Sequence, residues 1–129
     1  MLDKSLKVLA ALASILLLVS GLRWLIDPAG AAAGLGMPLL EGVGRSTQIG
    51  DLTAFFVVAG GFGLLGVLRG NGSLLYTPAA LVGAAALFRI LATVLHDAAL
   101  ATQMIAVEAV MLVVFFAAAQ RLHTGPRQL

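Results

Sequence analysis

The chain has no cysteine among its 129 residues. Disulfides, thiolate metal sites, cysteine nucleophiles and anchoring as a lipoprotein are thereby excluded. Charge is also scarce: Asp, Glu, Lys and Arg make up 11% of the sequence, where a soluble domain carries about a quarter. The eight Lys and Arg are scattered, so the net charge of +2 builds no basic stripe and nucleic acid is not a partner. No phosphate loop is present, because GVGRS and GGFGLLG lack both the lysine and a flanking strand. Nor does any Glu-x-x-His or His-x-x-x-His spacing occur, so no metal site and no resident cofactor are expected. What is abundant is apolar side chain, at 60% of residues with a mean hydropathy of +1.05. That composition belongs to an integral membrane protein with most of its length in the bilayer.

A membrane helix needs about 20 mostly apolar residues. Four runs qualify, at about 6–26, 51–68, 75–95 and 102–119, so residues 1–129 read as one all-α, four-span domain. The first run follows Lys4 and Lys7 as a signal peptide would. No small-residue cleavage site follows, Arg23-Trp24 comes instead, and the run is read as a retained span. RGNGS (69–73) is a tight turn, and HDAAL a connector so short that the third and fourth helices must be antiparallel neighbours. The connection 28–50 is long. Asp27-Pro28 is a good N-cap and first-turn pair, so AGAAAGLG forms either a short helical cap over the bundle or a plain glycine-rich loop.

Lys4, Lys7, Arg69, Arg121 and Arg127 fall on one side of the four spans, and Arg23 and Arg45 on the other. Basic residues near helix ends mark the cytoplasmic side, which predicts an antiparallel four-helix bundle with both termini cytoplasmic. Small residues recur at close-packing intervals: Ala10 with Ser14, Ala59 with Gly63, Gly66 with Gly70, Ala79 with Gly83. Such pairs let membrane helices approach closely, within one bundle or in a homodimer or larger complex.

Against this background the few charges inside the apolar runs stand out. Arg89 and Glu108 lie about 10–12 Å below the third connector on neighbouring helices, at matching depth. An isolated charge there is costly, so the two are expected to face inward and pair. Arg89, Thr93 and His96 share a helix face at i, i+4 and i+7, with Asp97 close by. Asp51 opens the second helix, at a depth similar to Arg23, and an Arg23–Asp51 or Arg45–Asp51 pair is expected. Arg89, Glu108, His96, Asp97, Asp51, Arg45 and Arg23 together outline a polar pocket opening to the outer face, flanked by Met104 and Met111.

The combination DPAG after the first helix, R-x-x-x-x-G-D at 45–51, FRILATVLHD in the third helix and a glutamate within the fourth resembles a family of small bacterial four-helix membrane proteins, loosely DoxX-like. The resemblance covers nearly the whole chain. It implies a four-helix bundle in the bacterial inner membrane and maps that family's motif positions onto Arg45, Gly50, Arg89, Asp97 and Glu108. Asp51 stands where the family carries a second glycine, a departure from its pattern. The resemblance implies no reaction. Three function classes follow: a binder or carrier of a small amphipathic molecule (a lipid, quinone or terpenoid), an accessory subunit of a membrane complex, and an enzyme using Glu108 with His96 as acid and base. Arg89 favours the carboxylate form of Glu108 and so weighs against the third.

Overall fold

The computed structural model describes residues 1–124. Five helices form: α1 (Leu2–Ile26), α2 (Pro28–Gly34), α3 (Gly42–Leu68), α4 (Gly72–His96) and α5 (Thr102–Thr124). No strand occurs among the described residues. All but α2 are long and apolar enough to cross a membrane, which makes the chain a multi-pass membrane protein. Arg127, counted above on the cytoplasmic side, lies outside the described residues.

The long helices form a ring. α1 packs on α3 and on α5, α3 on α4, and α4 on α5. Each helix is apolar on every side, yet buries only one seam. Leu12, Val110 and Phe88 point outward at 58, 63 and 62% exposure, and much of the outer surface is of this kind. A helix that is apolar all round needs an apolar surround, and here that surround is hydrocarbon.

Inside the ring, Leu17, Leu75, Val82, Met111 and Phe115 form one core, joined by small residues such as Ala59 and Ala119. The α1–α3 seam is tight. A Cβ on Gly60 would stand 2.7 Å from the Ser14 carbonyl oxygen and 2.8 Å from the Leu18 nitrogen, so only glycine fits. Ser14 is fully buried there, its hydroxyl donating to the Ala10 carbonyl at 2.7 Å. Ala10, Ser14, Ala59 and Gly63 thus meet at one seam, the close-packing role expected of them. Gly70 does not join a seam. At φ +60° it turns the chain between α3 and α4, where Asn71 caps α4 by accepting from the Ser73 N–H at 3.0 Å.

The helices overrun the apolar segments. α3 starts at Gly42 and not at 51, α1 at Leu2 and not at 6, and α5 continues to Thr124. Apolar runs mark what must be sheltered from water, whereas helices end where the backbone finds other partners. For α3 those partners come from Gln48. Its side-chain oxygen accepts from the Leu40 N–H at 2.7 Å, and its amide nitrogen donates to the Pro38 carbonyl at 3.0 Å. Gln48 straps the connector to the first turns of α3, and those turns stay helical.

The same end holds a second small core. Asp27 caps α2 by accepting from the Gly30 N–H at 3.1 Å, with Pro28 at the first helical position. Ala31 and Ala32 then pack on the buried indole of Trp24, with Leu35, Met37 and Ile49 around them. Residues 28–34 are therefore a packed helical cap, not a plain surface loop.

Candidate functional site

Beneath this cap lies a cavity of about 510 Å³, lined by residues of all five helices or of the segments next to them. α2 and its end contribute Gly34 and Leu35, α1 contributes Leu16, Leu17 and Ser20, and α3 contributes Leu52, Phe55 and Phe56. α4 supplies Val82 and Arg89, and α5 supplies Gln103, Met104, Val107, Glu108 and Met111. The wall is largely apolar, with polar groups gathered on the α4–α5 side. The volume falls in the range of small-molecule pockets, about 300–1,000 Å³.

Arg89 and Glu108 carry the chemistry of this wall. The Arg89 Nε–H donates to both carboxylate oxygens of Glu108, at 3.0 and 3.2 Å. Arg89 lies seven residues before the end of α4 and Glu108 six after the start of α5, so each is about 10 Å inside its helix. The arginine side chain is 33% exposed and the glutamate 16%. Among the described residues, neither terminal nitrogen of Arg89 donates a hydrogen bond, and the Gln103 amide has no partner. The ion pair is neutral as a unit, yet it presents unused N–H donors.

The other five candidates do not line this cavity. Arg23 lies 3.8 Å from Asp27 on its own helix end, and both are more than half exposed, so the expected Arg23–Asp51 pair does not form. The alternative Arg45–Asp51 pair is absent too: the Arg45 Nε–H donates to the Leu40 carbonyl at 2.8 Å. Asp51 is exposed. It sits nine residues into α3, a helix that starts earlier than the apolar run indicates. His96 is exposed at the end of α4. Asp97 ends that helix in the left-handed region at φ 55°, its N–H donating to the Ala92 carbonyl. Asp is among the few non-glycine residues that tolerate this conformation, so Asp97 is a helix terminator.

Two wall residues carry little signal in the sequence. Gln103 precedes Glu108 by five residues, about 140° round the helix, so periodicity separates them. Ser20 looks like a helix-packing serine, and its hydroxyl does donate to the Leu16 carbonyl at 2.8 Å. Among the described residues no three His, Asp or Glu side chains come together as a metal site would require. Comparison of the chain with protein-family models, with curated proteins and with solved structures gives no match.

Proposed function

We propose that the chain is a four-span protein of the bacterial inner membrane, an antiparallel bundle with both termini cytoplasmic, that binds or carries a small amphipathic molecule such as a lipid, quinone or terpenoid. The guest's polar head meets Arg89, Glu108 and Gln103, and its apolar body lies against Phe55, Phe56, Met104 and Met111. The observation that carries this reading is the pairing of an apolar cavity of about 510 Å³ with an ion pair in its wall whose arginine keeps its terminal donors unused. Polar groups at membrane depth are tolerated where protein or a cavity shelters them, and usually mark function. The resemblance to DoxX-like proteins fits a bundle of this size.

The competing reading is an accessory subunit or homodimer. It has one observation in its favour: Gly50 and Gly61 on α3 face open space, with nothing within 4 Å of where a Cβ would stand, as on a helix awaiting a close neighbour. An acid–base pair of Glu108 and His96 gains no such support, since His96 is exposed and outside the cavity wall.

Native mass spectrometry of the wild type and of Arg89→Met/Glu108→Leu, purified in parallel, separates the two main readings. A bound small molecule in the wild type and its loss from the charge-free double variant is the expected result. Identical profiles would make the ion pair a scaffold and favour the accessory subunit.

A further inference from the structure

An open groove of about 430 Å³ lies between α1 and α5. Leu9, Leu12 and Leu16 line it from one side, Val107, Val110 and Met111 from the other, and no polar side chain reaches it. Leu16, Val107 and Met111 also line the cavity that holds Arg89 and Glu108. The two spaces therefore meet at three side chains from opposing helices, with no helix between them. Leu16 and Val107 are about half exposed, at 53 and 49%. Met111 is unbranched and adapts its shape readily.

The α1–α5 seam is also the least restrained of the ring. α3 and α4 are joined by a tight turn and α4 and α5 by a short connector, while α1 and α3 lock at Gly60. No single loop joins α1 to α5. Their ends are tied by the exposed Asp3–Arg121 ion pair at 3.5 Å, far from Arg89. Surface pairs of this kind hold weakly. At the end of the bundle near Arg89, α2 packs on α1 and α3, and Gly34 and Leu35 border the cavity there.

We infer that the seam between α1 and α5 is a side entrance from the bilayer, and that it holds the hydrocarbon chain of an uncharged lipid whose carbonyl oxygens accept hydrogen bonds from Arg89 and Gln103. This rests on the cavity being a ligand site, as proposed above. Charge complementarity selects the head. An anionic head placed on the Arg89 guanidinium meets Glu108, whose oxygens are already 3.0 and 3.2 Å from Nε. A cationic head meets Arg89. An uncharged acceptor meets neither penalty and satisfies the spare N–H donors.

The test uses the full chain in lipid nanodiscs and a long-chain methyl ketone with a diazirine at mid-chain. Probes of equal length ending in a carboxylate, an ammonium or a plain methyl group run beside it. Photolabelling by the ketone should concentrate on residues 9–16 and 106–114 and exceed that by the methyl-ended probe about tenfold. Ala106→Phe and Val110→Trp fill the seam at positions that line it and not the inner cavity. Val110 is 63% exposed, and unchanged unfolding midpoints identify the folded variants. Each should cut long-chain labelling about tenfold and leave retention of a short-chain ketone unchanged. Long-chain labelling that survives both substitutions overturns the side entrance while the cavity reading stands. Preference for the carboxylate or ammonium probe overturns the uncharged head. Equal labelling by ketone and methyl-ended probes makes the seam an ordinary lipid groove. If the wild type retains neither ketone, the ligand reading fails together with this one.

Discussion

Glu108→Gln is the most direct perturbation of the ion pair. Opposite charges about 4 Å apart attract by about 4 kcal/mol at an effective dielectric constant near 20. Desolvation offsets much of that, so the intact pair adds little over a good apolar contact. Breaking it is another matter, because the surviving charge is stranded, at a cost of about 3–5 kcal/mol in a fully buried setting. The exposures set where each variant falls. Arg89 is one-third exposed and long, so it can turn its head toward the end of the bundle, and glutamine still offers Nε an acceptor. Glu108→Gln should therefore cost about 2–3 kcal/mol. Arg89→Met strands the shorter carboxylate, which is only 16% exposed and cannot reach water as easily, so the full range of about 3–5 kcal/mol is expected.

The double variant Arg89→Met/Glu108→Leu strands nothing and should lie within about 1 kcal/mol of the wild type. Reversible unfolding of the four proteins in mixed detergent micelles supplies the double-mutant cycle. The single losses together exceed that of the double variant by about 4 kcal/mol or more, and that coupling is the expected outcome. If the single losses simply add in the double variant, the two side chains do not depend on each other and the placement of the site is wrong.

Gly60→Ala should cost about 1–3 kcal/mol in the same assay, because its Cβ would meet the α1 backbone, whereas Gly61→Ala has open space and should be neutral or stabilising by up to about 1 kcal/mol. Gln48→Leu removes both bonds that strap the connector. It should lower stability by about 1–3 kcal/mol and speed hydrogen exchange at the Leu40 amide. Asp97→Gly relieves a positive φ and should stabilise by about 0.5–1 kcal/mol without changing the profile of bound molecules; lost ligand would return Asp97 to the site. A reporter fused to the C-terminus should be active only on the cytoplasmic side, and activity on the outer side would overturn either the orientation or the count of four crossings.

The long helices are legible in the sequence because a span needs so many apolar residues in a row that nothing else in the chain imitates it. Their ends are less so. Residues 42–50 contain three glycines and a Ser-Thr-Gln run, which reads as loop. They are helical because Gln48 reaches back over eight and ten residues to Leu40 and Pro38, contacts that no local pattern announces. α2 lies between these cases. Its N-cap is written in Asp27-Pro28, but a helix of seven residues, mostly alanine and glycine, would not persist alone. Trp24 beneath it supplies the packing that the local sequence lacks.

The site is legible in its deep part only, for a reason that concerns backbone as much as charge. Every helix end leaves backbone groups without partners. Polar side chains near the ends are drawn to them: Asp27 to the Gly30 N–H, Arg45 to the Leu40 carbonyl, Gln48 to the connector. Asp97 serves its helix end by conformation instead. A surplus of polar residues at one end of a bundle is thus what capping four helices and a connector requires, and by itself points to no ligand. Arg89 and Glu108 lie about 10 Å further in, where the backbone is already satisfied by its own helix. No capping role is open to them there, and each side chain must find either the other or a guest. Their geometry provides the first and leaves donors for the second.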